Sequence, residues 1–372
     1  MKKVVIIGGG LAGLISALEL TTKGLEVILI EKKNYPFHRV CGEYVSQEVL
    51  PFLKKRNYLP DFELPIIQRL KVSSPNGNLL STPLKMGGFG ISRYALDGYL
   101  AQKAQEKGVL LISGVSVQKV DFLEDSFQIL LSDGKNLEAG IVLGAFGKRS
   151  NLDKYLNRNF FEQKSPYIGV KYHIRADFPK DLIALHNFQG GYCGISAVEY
   201  ETYNLCYLAE RSLLKKYGTI PEMEKAVLFE NPHLQDIFTN STFLWAQPLV
   251  INEISFLPKP CVENHVLMVG DAAGMITPLC GNGMAMAIHS ALIASKLVIK
   301  YFEEHWKREV LEKHYQTEWT KTFAQRLWIG RNLQKLFGNK LLTEIAVGFL
   351  KPTPSLTKWL ISKTHGKEIV LE

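Results

Sequence analysis

Three glycines, Gly8, Gly10 and Gly13, stand between the apolar run Lys3–Ile7 and a segment of helical character over 11–23. Glycine at the first position permits a tight turn, at the second lets backbone approach a pyrophosphate, and at the third allows a helix to pack close to a sheet. The start of the helix adds unpaired N–H groups and partial positive charge for the phosphates. Gly24 ends that helix, and the apolar strand 25–31 closes on Glu31, about twenty residues on, where an acid can accept a ribose hydroxyl. Glu rather than Arg there suits an unphosphorylated ribose, that of FAD or NAD. A strand-end surface charge is the competing reading of Glu31.

A second segment is more specific. Val269-Gly270-Asp271-Ala272-Ala273-Gly274 is followed by Pro278 and Gly281-Asn282-Gly283, and then by an apolar helix that includes Met284 and His289. An acid at a strand end can accept a hydroxyl, and backbone N–H groups at 281–283 would face negative charge. A plain strand-to-helix loop would not need two short glycine clusters separated by a proline.

On these residues the chain resembles the aromatic hydroxylase-like superfamily of FAD enzymes, whose second flavin motif has this arrangement. The resemblance implies that Asp271 binds the flavin ribityl chain and that the loop after it lies beside the isoalloxazine. Arg39-Val40-Cys41-Gly42-Glu43 is similar to a basic-x-Cys-Gly segment in the geranylgeranyl reductase-like branch, which passes near the flavin. Arg93 with Leu96-Asp97 resembles the opening of the helix that follows the first substrate-domain strands. The implied cofactor set is Gly8, Gly10, Ala12, Gly13, Glu31, Arg39, Cys41, Arg93, Val117, Gly270, Asp271, Pro278, Gly281, Asn282, Gly283 and Met284, with FAD held non-covalently. One departure is Phe146, which stands where the superfamily carries an acid before Gly147. It weakens the case for direct NADPH use but not the case for FAD.

Bound flavin would do the redox chemistry, with the protein fixing its orientation. Two residues are candidates for a catalytic role. Cys41 is either an acid or redox group near the flavin or a packed thiol, and Tyr192 either lines the substrate pocket or donates a proton. Cys193 and His289 read as packed residues. No His, Asp or Glu grouping has metal-ligand spacing. A reductase acting on a carbon–carbon double bond of a hydrophobic, isoprenoid- or polyene-like molecule is the expected activity. Hydroxylation of an aromatic or polyketide ring by a monooxygenase is the alternative, and a non-catalytic flavin-binding protein the third class. The reductant would be NAD(P)H or an electron-donor protein.

These residues need a scaffold. Strand, helix and strand within 3–31 form a βαβ unit. A hairpin is expected over 68–84 around Pro75-Asn76-Gly77, a helix over 94–107 and a strand over 109–113. A meander follows over 117–143, turning at Ser132-Asp133-Gly134, and 141–145 returns to the first sheet. Residues 165–250 read as strand-rich, 267–270 as a buried strand and 285–302 as a helix. The fold class is therefore α/β, a Rossmann-type FAD-binding domain (1–66, 92–152 and 254–300) with an α+β substrate domain (67–91 and 153–253) and a helical C-terminal segment (301–372).

Bulk properties agree with a globular enzyme of more than one domain. Of 372 residues 46% are hydrophobic and 22% charged, with a net charge of +8 and no dense basic block of a nucleic-acid binder. Five widely spaced cysteines point to a reducing, cytoplasmic setting. The glycines at 8–10 break the early apolar run, which argues against a signal peptide, and no stretch reaches the ~20 apolar residues of a membrane span. Residues 301–372 carry twelve Lys or Arg against eight acids, interleaved with aromatic residues. Such helices either close the substrate cavity by packing on the body or lie on an anionic membrane surface.

Overall fold

The computed structural model describes residues 2–163, 165–277, 281–334, 338–364 and 366–369. One layer is a six-stranded sheet in the order Val262–Glu263, Val266–Met268, Ile141–Gly144, Lys3–Ile7, Glu26–Glu31, Leu110–Ser113. Its pairs are parallel except the edge pair Val262–Glu263 with Val266–Met268. Lys3–Ile7 runs through the middle with Val4, Val5 and Ile6 fully buried, which is why it is continuously apolar rather than alternating. Helix Leu11–Thr21 links it to Glu26–Glu31, and Gly24 makes the turn at φ +73°. This is the expected Rossmann-type unit.

Helix Gly283–Glu303 packs across Leu11–Thr21. It corrects one sequence expectation, because it is long and apolar enough to cross a bilayer, the one such helix among the described residues. More than half of its apolar window is buried inside the protein, as a core helix requires. Helix Arg308–Gln334 lies against it through Leu311, Tyr315, Trp319, Phe323 and Leu327, a stripe repeating every fourth residue.

The second layer is a nine-stranded sheet. Its order is Thr242–Phe243, Tyr167–Arg175, Tyr203–Glu210, Gly191–Ala197, Leu182–Phe188, Ile66–Ser73, Leu79–Gly90, Tyr44–Ser46, with Leu249–Ile254 also on Tyr167–Arg175. Ser73 pairs with Leu79 across the expected hairpin. Three short helices, Arg211–Tyr217, Ile220–Val227 and Pro232–Asn240, interrupt the region read as strand-rich. Thr219 and Asn231 cap the latter two, each followed by an early proline, the usual signal of a helix start. They cover one face of the sheet, with Met223, Val227 and Leu234 packed on Val170, Ile195 and Tyr207. The opposite face packs under helix Lys340–Leu350. Strands Val117–Leu123, Ser126–Leu131 and Asn136–Ala139 form the meander.

The chain crosses between the two layers at Arg39-Val40-Cys41-Gly42-Glu43, directly before Tyr44–Ser46 joins the large sheet at Gly88–Gly90.

Candidate functional site

The glycine motif is required by geometry. Gly8 has φ +105°, and a Cβ there would lie 2.4 Å from the Ala145 carbonyl oxygen. A Cβ on Gly13 would lie 2.0 Å from the Gly8 oxygen. Gly10 is the N-cap of Leu11–Thr21 and has no side chain to satisfy the first-turn amides, so those donors are left for a ligand. Gly270, at φ +61°, sits so close to Ala12 that a Cβ would come within 3.0 Å of the Ala12 Cβ. The two glycine-bearing segments therefore meet.

Glu31 is buried at the end of its strand. Its carboxylate accepts from Gly9 N at 2.8 Å, Arg39 Nη2 at 3.1 Å and Lys33 N at 3.1 Å. Three of about four acceptor positions are thus taken by protein, leaving room for one hydroxyl. Arg39 also reaches Asp97 Oδ2 at 3.0 Å, and Asp97 takes both forks of Arg93 at 2.7 Å. Val117, also buried, pairs with Leu131 two residues beyond Val115, whose amide donates to the Glu31 carbonyl.

The crossing segment is gripped by the large sheet. Lys171 and Glu43 have fully buried side chains and form an ion pair. Lys171 Nζ also donates to the Arg39 carbonyl at 3.1 Å, Asn204 Nδ2 to the Gly42 carbonyl at 3.0 Å, and His173 Nε2 bonds Glu43 Oε2 at 2.7 Å. Burial pushes the Glu43 carboxyl up, but the Lys171 ammonium and His173 outweigh it and hold it below the usual carboxylate range. Glu43 itself adopts φ +54°. His38 stacks on Tyr94 at 4.6 Å beside Trp245, and burial with the nearby His173 and Lys171 lowers its pKa to about 4. Cys41 is a free thiol whose pKa burial pushes up, against the pull of the Arg93 guanidinium.

Asp271 follows in a short turn, Gly270–Ala272. No donor among the described residues reaches its carboxylate, and burial pushes its pKa up despite Lys259, Arg93 and Lys148 nearby. Lys259 Nζ instead donates to two carbonyls, Lys148 at 2.6 Å and Asp271 at 3.0 Å, and burial lowers its pKa to about 8. Lys148 donates to the Asn252 carbonyl and is lowered likewise to about 8. Gly281, at φ +63°, faces the Tyr44 ring. Asn282 is the N-cap of Gly283–Glu303, and Met284 is buried in its first turn. Pro278 lies outside the described residues.

The two catalytic candidates are not brought together. Cys41 packs at the edge of the first core, whereas Tyr192 is buried on the large sheet with Leu185, Leu208, Ile254 and Val347. Cys193 is packed as expected. His289 is half-buried rather than a satisfied core residue, because its Nδ1 finds no partner among the described residues. Sequence reasoning missed Lys171 and His173 as functional positions. Their signal was a lysine and a histidine two apart in an otherwise apolar strand, hence on one face. Lys259 gave no such signal. No His, Cys, Asp or Glu grouping among the described residues could hold a metal.

The cradle fits FAD on these grounds: open first-turn amides at Gly10, a Glu31 carboxylate with one position left, and an Asp271 carboxylate with no protein donor. Residues 3–38 match the family model of an FAD binding domain. Over 98% of its length the chain is 27% identical to conditioned medium factor receptor 1 of Dictyostelium discoideum, covering 77% of that protein. It is 23% identical to the digeranylgeranylglycerophospholipid reductase of Methanococcus vannielii, covering 96% of each. Among solved structures, the flavin-dependent brominase Bmp2 superposes with a TM-score of 0.79 at 20% identity, over 97% of this chain and 92% of that one. Motif, fold and relatives agree that the chain is an FAD-dependent oxidoreductase, similar in sequence to a digeranylgeranylglycerophospholipid reductase and in fold to a flavin-dependent brominase.

Proposed function

We propose that this flavoenzyme reduces a carbon–carbon double bond in a hydrophobic, isoprenoid- or polyene-like substrate. The observation that supports this most directly is the sheet face bearing Tyr192, Leu208, Leu185 and Ile254. It is apolar, lies under a helix, and runs up to Met275, four residues past Asp271. Gly8, Gly10, Ala12 and Gly13 would hold the pyrophosphate, Glu31 and Val117 the adenosine end, and Asp271 the ribityl chain. Arg39, Cys41, Arg93, Gly281, Asn282, Gly283 and Met284 would border the ring. Bound and reduced, FAD supplies the hydride. With the hydride going to one carbon of the double bond, Cys41 would donate its Sγ proton to the other, and the thiolate left behind would be stabilised by Arg93 until solvent reprotonates it. Tyr192 lines the substrate channel. The reductant is NAD(P)H docking transiently or a protein electron donor, in a cytoplasmic setting.

Single-turnover experiments test this with the anaerobically reduced holoprotein and a polyprenyl substrate. The expected result is flavin reoxidation matched by saturation of one double bond, at least tenfold slower in Cys41→Ala. Slow, unproductive reoxidation by oxygen alone is also expected. Rapid oxygen consumption coupled to hydroxylation or halogenation of an aromatic acceptor would sink the reading in favour of oxygen chemistry.

A further inference from the structure

The C-terminal helices divide their apolar residues between two destinations. Most of those of Arg308–Gln334 go inward, with Tyr315, Trp319 and Phe323 buried. Helix Lys340–Leu350 is different. One side is docked on the large sheet: Val347 is 3% exposed, Glu344 accepts from Asn76 N at 2.7 Å and Asn78 Nδ2 at 3.0 Å, and Lys340 N donates to Gln189. The other side carries Leu341, Ile345 and Phe349, four residues apart and 69%, 59% and 62% exposed. These form one helical stripe in water. Leu342 beside it is exposed as well, as are Trp359 on the adjoining helix Pro354–Thr364 and Trp328 at the end of Arg308–Gln334.

Charge accompanies the stripe. Lys351, Lys358, Lys363 and Lys367 are exposed on or after these helices, and Lys363 Nζ lies 5.6 Å from the Trp359 ring. The acids in this part of the sequence are Glu344, turned inward to the hairpin, Glu368 and Glu372. A protein partner would be expected to bury such a stripe in a shaped groove. Lysines flanking exposed Trp, Phe, Leu and Ile on short helices have the composition of a segment lying in a lipid interface, where aliphatic groups enter the acyl boundary and ammonium groups meet anionic heads. Exposed large hydrophobics grouped on one helix face in this way mark an interaction site.

We propose that the Leu341–Ile345–Phe349 stripe, with Trp359 and the lysines around it, docks this protein peripherally on an anionic membrane surface. The helix bearing the stripe is the one that covers the Tyr192 face of the large sheet, so docking sets that face next to the lipid.

Co-sedimentation of the full-length holoprotein with phosphatidylglycerol-rich and with pure phosphatidylcholine vesicles tests the docking. Wild type should pellet with the anionic vesicles and lose part of that binding in high salt. Ile345→Glu/Phe349→Glu should reduce it at least tenfold while retaining bound FAD, as its visible absorbance reports. Lys351→Glu/Lys358→Glu/Lys363→Glu should remove the preference for anionic lipid. Wild type remaining in the supernatant with both vesicles would overturn the proposal. So would a dimer in solution that Ile345→Glu/Phe349→Glu dissociates, since the stripe would then join two copies of the chain.

Discussion

Asp271 and Glu31 are two acids of the same cradle, one half-buried and one buried, with different surroundings, and they should respond differently to removal. Glu31 holds Gly9, Lys33 and Arg39, so part of what it does is structural. Asp271 has no protein donor on its carboxylate, and its burial is costly until a ligand hydroxyl satisfies it. Asp271→Ala should therefore weaken FAD by roughly 1.5–3 kcal/mol, about ten- to a hundredfold, with the thermal midpoint of the apoprotein unchanged or raised. Glu31→Ala should lower that midpoint as well as the affinity. Flavin fluorescence titration and calorimetry of the apoprotein measure the two effects separately. Unaltered affinity in Asp271→Ala would show that the ribityl chain lies elsewhere.

At the scale of elements, the crossing segment Arg39–Glu43 is only as well placed as the strand that grips it. Lys171 and Glu43 are a fully buried pair, and removing one member of such a pair costs ~3–5 kcal/mol because the other charge is stranded. Lys171→Met should fall toward the lower end of that range, since His173 still bonds Glu43. Glu43→Gln/Lys171→Met should recover part of the loss in urea unfolding; a double variant no more stable than Lys171→Met would show that packing, not charge, dominates there. None of this could be read from the chain alone, because the pair joins a loop to a strand far along the sequence. What could be read were features of short range: the alternation of the hairpin, the continuous apolar run of Lys3–Ile7 and the backbone demands at Gly8 and Gly13. The helices between Arg211 and Asn240 escaped because each spans only two or so turns, too short for a periodic signal to stand out from the flanking strands.

For the whole molecule, acid should be more damaging than the net charge of +8 suggests. Three histidines in different parts of the fold are held neutral by burial: His38 at the crossing segment, to about 4 with help from His173 and Lys171; His186 in the large sheet, to about 3 with His233 and Lys71; and His289 on the long helix, to about 4 with Arg326. In each case the folded pKa lies below the ordinary 6.5, so between pH 6.5 and about 4 the unfolded chain binds protons that the folded chain refuses. The contribution of these histidines to stability therefore falls as pH drops through that window, opposed in part by Glu224 and Asp271, whose carboxyls burial pushes up. Below pH 4.5 Glu43, whose folded pKa is depressed, adds to the loss in the same direction. At about 1.4 kcal/mol for each tenfold difference in proton affinity, His289 alone accounts for on the order of 3 kcal/mol by pH 4. His289 Nδ1 has no partner among the described residues to lose, and Phe323 packs edge-on against the ring, so His289→Gln keeps a polar side chain but removes the titration. Urea unfolding from pH 7 to pH 4.5 should show the variant losing stability less steeply than wild type, the two curves converging or crossing toward the acid end. Parallel curves would mean that His289 takes up its proton without cost in the folded state, and that the helix it sits on is open to water.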